Sequence, residues 1–360
     1  MLCWPARFVN LPFLSMKILA VGDSYMPARY FSEAFASLRA AHEVRCVDVT
    51  AERSFEPVSP SERKLREYQG SPAELSGWMN GVDVLAVHGA PVTDAVLDAS
   101  RQLRLVCCAR GGPVNIDLDA VSERGLPLVN TPGKNAEAVA DLTIAFVVML
   151  ARRLPRAQRF LHDGNRVRDN WDGAQFIGSD LRRHTLGLVG YGQVGSRVAA
   201  RARAFGMSVL VHDPYTDTGP GGPPRVDTLG ELLERVDFVS LHARATRETE
   251  RMINAAAIAR MTAGSFLINT ARESLLDEDA LDAALASGHL GGAALDVVAA
   301  VAEHGRHRLL RHDNVILTPH IGGATRETLA QGAEMIAAEI TRFAAGEPLR
   351  NVLNAAVLAR

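Results

Sequence analysis

Three polar positions in this chain follow short apolar runs, which is where a parallel α/β sheet presents groups to a ligand. They are Asn269-Thr270-Ala271-Arg272, Ala294-Leu295-Asp296 and Thr318-Pro319-His320-Ile321-Gly322-Gly323. Arg272 brings a guanidinium, the side chain best shaped to hold a carboxylate through two parallel hydrogen bonds. A surface salt bridge is the competing reading. Asp296 places an acid at a strand end, within reach of a ligand amide. His320 carries an imidazole, whose ordinary pKa near neutrality suits a general acid/base. A histidine after a proline can equally be structural, and the glycines beyond it allow close backbone approach.

A fourth stretch could hold the partner for such chemistry. Leu186-Gly187-Leu188-Val189-Gly190-Tyr191-Gly192-Gln193-Val194-Gly195 is an apolar run closing in three glycines at G-x-G-x-x-G spacing, with a helical pattern behind it. In a dinucleotide fold Gly190 makes the tight turn, Gly192 lets a pyrophosphate approach the backbone, and Gly195 lets helix and strand pack closely. The helix start directs unpaired N–H groups and a positive dipole end at the phosphates. Asp213 ends the next apolar run, 18 residues past Gly195. A carboxylate there accepts from ribose hydroxyls and repels a 2′-phosphate, so the stretch reads as an NAD site. A plain turn aspartate before Pro214 is the alternative.

These residues need two sets of β/α units to position them. At 360 residues two domains are the natural expectation. Up to about Pro132, strands are expected at Ile18 to Val21, Val44 to Val49, Val82 to Val87, Leu103 to Cys108 and Leu126 to Val129. Helices are expected around Phe31 to Ala40, Thr93 to Ala99 and Leu118 to Arg124. The polar piece Glu52 to Asn80 reads as a surface excursion with a helix near Arg63 to Tyr68. Asn135 can cap a long apolar helix from Ala136 to about Leu154. Its stripe of Ala138, Leu142, Ala145, Val148 and Met149 is too apolar for solvent, as at a domain or subunit seam. Further strands are expected at Phe238 to Leu241, Phe266 to Asn269, Gly292 to Leu295 and Val315 to Leu317. A helix from Glu278 to Ser287 ends at Gly288. The last helix puts Leu329, Ala333, Ile336, Ile340 and Phe343 on one face, stopped by Gly346 and Pro348.

Composition narrows the function classes. Lys and Arg total 39 against 41 Asp and Glu, so no basic field exists to drive nucleic-acid binding. No segment reaches the ~20 apolar residues of a membrane span. The four cysteines lack disulfide or metal-ligand spacing, and no histidine array reads as a metal site. A cytoplasmic protein without a structural metal is expected. Residues 1–15 form an extra N-terminal segment, an extended start or a disordered tail, ahead of the first strand.

Taken together, these stretches resemble the D-isomer-specific 2-hydroxyacid dehydrogenases. The resemblance rests on Gly190 to Gly195, Asn269 to Glu273, Ala293 to Val297, Asn314 to Gly323, and Asn130 to Ala140, which is similar to the family's interdomain hinge and helix. It implies two doubly wound parallel-sheet domains, a Rossmann NAD-binding domain (135–323) inserted into a flavodoxin-like substrate domain (16–134 plus 324–360). It also implies that His320 exchanges a proton with the substrate hydroxyl and that Arg272 binds the substrate carboxylate and carbonyl. By the same resemblance Gln193 and Val194 touch the pyrophosphate, Asp213 the ribose and Asp296 the nicotinamide. Thr270, Ala271, Arg272, His320, Gly322 and Gly323 border the cofactor. Backbone N–H groups of Arg110-Gly111-Gly112 are implied to hold the substrate carboxylate, and a homodimer is expected.

One departure stands out. The family usually carries a glutamate five residues after the aspartate, paired with the histidine, and that position here is Val301. Either the loop is remodelled so that Glu303 reaches His320, or the histidine works without that partner. The chain ends soon after its last helix, resembling short members without a regulatory domain. The loop that bears an arginine in phosphoglycerate dehydrogenases reads Val87-His88-Gly89-Ala90-Pro91-Val92-Thr93. This argues against a phosphorylated substrate unless Arg110 substitutes. His88 is a candidate substrate contact, or a loop histidine satisfied by its neighbours. The sequence therefore points to an NAD-dependent oxidoreductase acting on a small D-2-hydroxyacid or 2-ketoacid. The other class to weigh is an NAD-binding corepressor or sensor of the same fold.

Overall fold

A computed structural model of the chain describes residues 15–50, 59–166, 168–299 and 307–359. The chain forms two compact units, one running up to Lys134 and resuming at Thr325, the other Asn135–Ala324.

The first unit contains β1 (Lys17–Gly22), α1 (Arg29–Ala34), β2 (Glu43–Asp48), α2 (Pro72–Trp78), β3 (Val84–Val87), α3 (Asp94–Asp98), β4 (Leu105–Cys108), α4 (Leu118–Glu123) and β5 (Leu128–Val129). Its strands form one parallel sheet in the order β2-β1-β3-β4-β5. β3 and β4 are buried at every residue, as strands covered on both faces must be. One face packs Ile18, Ala20 and Leu105 against Phe31, Phe35, Ile336 and Ile340. The other packs Leu19, Val21 and Leu85 against Leu75, Val96 and Val121.

Between β2 and β3 the expected helix near Arg63 to Tyr68 is replaced by a single 3-10 turn, Glu62–Lys64. Glu67 sits at φ 51°, which ends any helix there. The true helix is α2, where Ser71 caps the N–H of Glu74 and Pro72 takes the first turn. The expected helix from Phe31 to Ala40 is likewise split into α1 and a 3-10 turn at Leu38–Ala40.

The second unit opens with α5 (Ala136–Ala151) and α6 (Leu154–His162). It continues through β6 (Thr185–Val189), α7 (Gln193–Ala204), β7 (Ser208–His212), α8 (Leu229–Leu233), β8 (Phe238–Leu241), α9 (Ala255–Arg260), β9 (Phe266–Asn269), α10 (Glu278–Ala286), β10 (Gly292–Leu295) and β11 (Val315–Leu317). The sheet is parallel, in the order β11-β10-β9-β8-β6-β7. Beyond β7 a single parallel bridge, Val211 to Arg225, stands where a doubly wound sheet carries its third strand. The chain then returns to the first unit as α11 (Arg326–Ala344), capped by Thr325 and buried along Leu329, Ala333, Ile336, Ile340 and Phe343. Gly346, at φ 67°, ends it.

Two local expectations fail in the second unit. The long apolar helix stops at Ala151, and Arg153 turns left-handed at φ 53° before α6 begins. Pro155 has no N–H to give the Ala151 carbonyl, which accepts from Ser179 N instead at 3.0 Å. Asn135 occupies the cap position, but its side chain makes no capping bond; it lies beside Gly323. Within α5, Ala140, Ile144, Val147 and Ala151 join the core against the sheet of this unit. Leu142, Val148 and Met149 are half-buried at the margin of the same core, and Ala145 is exposed.

Candidate functional site

Parallel pairing puts the strand ends of the second unit in one row. His212 pairs with Val189, Val189 with Leu241, Leu241 with Asn269, Asn269 with Leu295, and Leu295 with Leu317. The residues that follow them are Asp213, Gly190, His242, Thr270, Asp296 and Thr318. At about 4.8 Å per strand, Asp213 lies three strand spacings, ~14 Å, from the β9 end. That is room along the carboxyl edge for an extended ligand.

Each glycine of the turn after β6 meets a different constraint. Gly190 has φ 98°, and a Cβ there would lie 2.8 Å from Ala243 N. At Gly195 a Cβ would lie 2.3 Å from Gly190 O, so α7 approaches the strand end only because that position is bare. A Cβ on Gly192 would meet no protein atom within 4 Å. The fold itself therefore does not demand glycine at 192, and the space over the start of α7 is left open. Gln193 and Val194 form the first turn of α7, which holds no acidic residue to compete with an anion.

Asp213 closes over this turn. Its Oδ2 accepts from Tyr191 N at 2.7 Å, and its Oδ1 from Tyr215 N at 2.9 Å and Thr216 N at 3.1 Å. Burial alone would push the carboxyl up; the N–H groups of Tyr191, Tyr215 and Thr216 outweigh it and hold Asp213 below the usual carboxylate range. An ionised acid is thus fixed at the end of β7. Beneath the turn lies His242, which no motif or spacing singles out. Burial pushes its pKa down to about 4, and Nε2 pairs with Ser240 Oγ at 2.9 Å.

On β9 the organiser is Asn269, fully buried. Its Oδ1 accepts from Ala271 N at 3.0 Å and its Nδ2 donates to Arg272 O at 2.8 Å, shaping the Thr270-Ala271-Arg272 turn. Thr270 Oγ1 meets Thr143 Oγ1 of α5 at 3.0 Å. Arg272 is exposed, and its guanidinium donates to the neighbouring Ala271 carbonyl at 2.6 Å.

Asp296, 2 % exposed, does for the last loop what Asn269 does for the previous one. Oδ1 accepts from Thr318 Oγ1 at 2.5 Å and Ile321 N at 2.8 Å; Oδ2 accepts from Gly322 N at 2.7 Å. The backbone carbonyl of Asp296 also takes His320 N at 2.9 Å. These bonds hold His320 at φ 56°, a left-handed conformation that costs about 1–3 kcal/mol. The imidazole is exposed, and among the described residues no carboxylate pairs with it. Val301 and Glu303 lie outside the described residues.

The remaining candidates belong to the first unit. Gly111 and Gly112 are exposed, and Gly111 O accepts from Asn130 Nδ2 at 2.8 Å. Arg110 is committed to Glu67, with Nη2 to Oε2 at 2.6 Å and Nη1 to the Glu67 carbonyl at 2.9 Å. His88 follows β3, and its Nδ1 lies 2.8 Å from Asp23 Oδ2. Lys134 Nζ donates to Ala109 O at 2.6 Å, and burial lowers its pKa to about 8.

The sequence model of the D-isomer specific 2-hydroxyacid dehydrogenase NAD binding domain matches residues 144–322. A hydroxypyruvate reductase of Thermotoga maritima is 38 % identical over 267 residues, covering 73 % of this chain and 85 % of that protein. The chain belongs to the D-isomer specific 2-hydroxyacid dehydrogenase family. A D-3-phosphoglycerate dehydrogenase of Synechocystis sp. is 35 % identical over 292 residues, 79 % of this chain but 51 % of the relative. The chain thus spans about half the length of the phosphoglycerate dehydrogenases it matches. Among solved structures, the TT0316 protein of Thermus thermophilus is 34 % identical with a TM-score of 0.75, covering 94 % of this chain and all of that one. The fold is that of the family, two parallel-sheet α/β units, and its cofactor is NAD. The bare face at Gly192 and the ionised Asp213 fit that cofactor.

Proposed function

We propose that this family member is an NAD-dependent oxidoreductase acting on a small, unphosphorylated D-2-hydroxyacid or its 2-ketoacid. The observation that carries the reading is the common row of strand ends. The loops of Arg272, Asp296 and His320 leave neighbouring strands β9, β10 and β11 on the same edge as the glycine turn. Gly190, Gly192, Gln193, Val194, Gly195 and Asp213 would hold the adenosine and pyrophosphate side of the cofactor. Thr270, Ala271, Arg272, Asp296, His320, Gly322 and Gly323 would border its other end. NAD, when bound, supplies the hydride acceptor or donor for C2 of the substrate.

Arg272 would clamp the substrate carboxylate. His320 would accept the hydroxyl proton on oxidation and return it to the carbonyl oxygen on reduction. Asp296 would act through the backbone, fixing the direction of the imidazole. In the first unit, the N–H groups of Gly111 and Gly112, which donate to no group among the described residues, support a carboxylate contact there. Arg110, paired with Glu67, offers little to a phosphate. The apolar side chains that α5 leaves part-exposed, Leu142, Ala145, Val148 and Met149, fit a homodimer seam, and the thiols of Cys46, Cys107 and Cys108 fit a reducing, cytoplasmic setting.

The test is NADH oxidation against glyoxylate, pyruvate, hydroxypyruvate, four-carbon 2-ketoacids and 3-phosphohydroxypyruvate. Turnover of at least one unphosphorylated ketoacid is expected. Tight NADH binding with no turnover of any would overturn the reading.

A further inference from the structure

We propose that the Asp23–His88 pair is a hydroxyl-recognition site that sets the substrate class of the activity above, selecting 2-ketoacids and D-2-hydroxyacids with a free side-chain hydroxyl. The proposal rests on that activity but draws on separate observations, all within the unit that holds β1 to β5.

Position comes first. β2 lies on one side of β1 and β3 on the other, so the strand order reverses between β1 and β3. Ligands of doubly wound sheets bind outside the carboxyl ends of the strands at such a point. Asp23 is the first residue after β1 and His88 the first after β3; the ladder pairs Val21 with Val87.

Geometry then fixes what the pair can offer. The Asp23 carboxylate, 3 % exposed, accepts four bonds: Tyr25 N at 2.9 Å and Met26 N at 2.8 Å on Oδ1, His88 Nδ1 at 2.8 Å and Gly89 N at 2.7 Å on Oδ2. With those sites filled it has nothing left for a ligand. A carboxylate only accepts, so the ring nitrogen facing it carries the proton. Burial pushes the His88 pKa down, keeping the ring neutral. The other nitrogen, Nε2, then presents a lone pair and has no partner among the described residues.

Its direction is also set. Tyr25 stacks on the imidazole at 5.5 Å and 6°, and Asn115 Nδ2 holds the His88 carbonyl at 3.2 Å. A Cβ at Gly89 would lie 2.7 Å from Asp23 Oδ2, so the close turn requires glycine. The side chain keeps 10 % of its surface open.

A rigid, neutral acceptor recognises an O–H. A ligand methyl there would leave Nε2 dry and unpaired, and a phosphate would set acceptor against acceptor. The two nearby cations do not reverse this. Lys134 gives Ala109 O a 2.6 Å bond, and Arg110 is paired with Glu67.

The test compares kcat/KM of the full chain for hydroxypyruvate, pyruvate and 3-phosphohydroxypyruvate. Hydroxypyruvate should exceed each of the others by about 10-fold or more. His88→Phe keeps a ring against Tyr25 but no acceptor, and should bring the hydroxypyruvate-to-pyruvate ratio close to one. His88→Gln, which retains an acceptor, should keep more of it. An unchanged ratio in His88→Phe, or a wild-type preference for the phosphorylated acid, would overturn the proposal.

A measurement on the wild type needs no variant to fold. In protein labelled at the histidine ring nitrogens, His88 Nε2 should be unprotonated at neutral pH. In the presence of NADH it should shift with D-glycerate and not with D-lactate. A protonated Nε2, or one indifferent to D-glycerate, would refute hydroxyl recognition. Absence of any ketoacid turnover would instead refute the enzyme reading and leave this spectrum to report on the site.

Discussion

Replacing Asp296 with asparagine isolates what holds the His320 turn. The asparagine oxygen fits best at Oδ1, where it keeps the bonds from Thr318 Oγ1 and Ile321 N. Its NH2 then occupies the Oδ2 position and faces Gly322 N–H, which donates across 2.7 Å in the native protein. A bond to a charged acceptor worth about 1.5–3 kcal/mol is lost, and a buried donor is left unpaired at about 1–3 kcal/mol more. Part of this is recovered as the turn relaxes the strain at His320, whose φ is 56°. The net cost to the native turn is about 2–4 kcal/mol, so the productive imidazole position becomes a minor state. We expect kcat/KM for the best ketoacid to fall by up to about 30- to 900-fold, with a lower urea midpoint. Steady-state NADH oxidation and urea unfolding on one preparation read both. An Asp296→Asn protein with wild-type kcat/KM and midpoint would refute the reasoning.

Other positions give further tests. Gly192→Ala should leave the melting temperature within about 1 °C and raise the NADH Kd, because its Cβ meets nothing but a ligand; Gly195→Ala should lower the melting temperature, since its Cβ falls 2.3 Å from Gly190 O. Asp213→Ser should narrow the preference for NADH over NADPH in a paired Kd measurement, by removing the charge that repels a 2′-phosphate. His242 has a folded pKa of about 4, below its unfolded value, so the unfolded chain binds the proton first. Stability should therefore fall as pH drops from ~6.5 towards 4, by up to about 1.4 kcal/mol per unit from this group. His88 and His42 shift the same way, so the His242 part is read as the difference in slope between wild type and His242→Gln in urea titrations at pH 7 and 5.

The sequence exposed most clearly what local sterics dictate. Gly190 and Gly195 are each forced by a backbone atom within 3 Å, and a fixed spacing records that. The central strands were legible because both of their faces are buried, so the runs around Val84 to Val87 and Leu105 to Cys108 are apolar throughout. Helix limits were harder. Apolar continuity carried the reading of α5 up to the residue before Pro155, whereas the helix already ends at Ala151 and Arg153 turns left-handed. The helix expected at Arg63 to Tyr68 lies further along instead, where Ser71 caps Glu74 N–H ahead of Pro72. The Asp23–His88 pair left no trace in spacing: its members stand 65 residues apart and meet only through the order of β1 and β3. The second role of Asp296 was hidden too, because its donors are mostly backbone groups of a loop more than 20 residues on.

The most direct measurement is kcat/KM with the preferred ketoacid, together with NADH Kd, for wild type and His320→Ala. General acid/base catalysis contributes about 10²- to 10⁴-fold. With His320 in that role, kcat/KM should fall by that factor and the NADH Kd should stay within about threefold. A His320→Ala protein that reduces the ketoacid at near the wild-type rate would contradict the assignment.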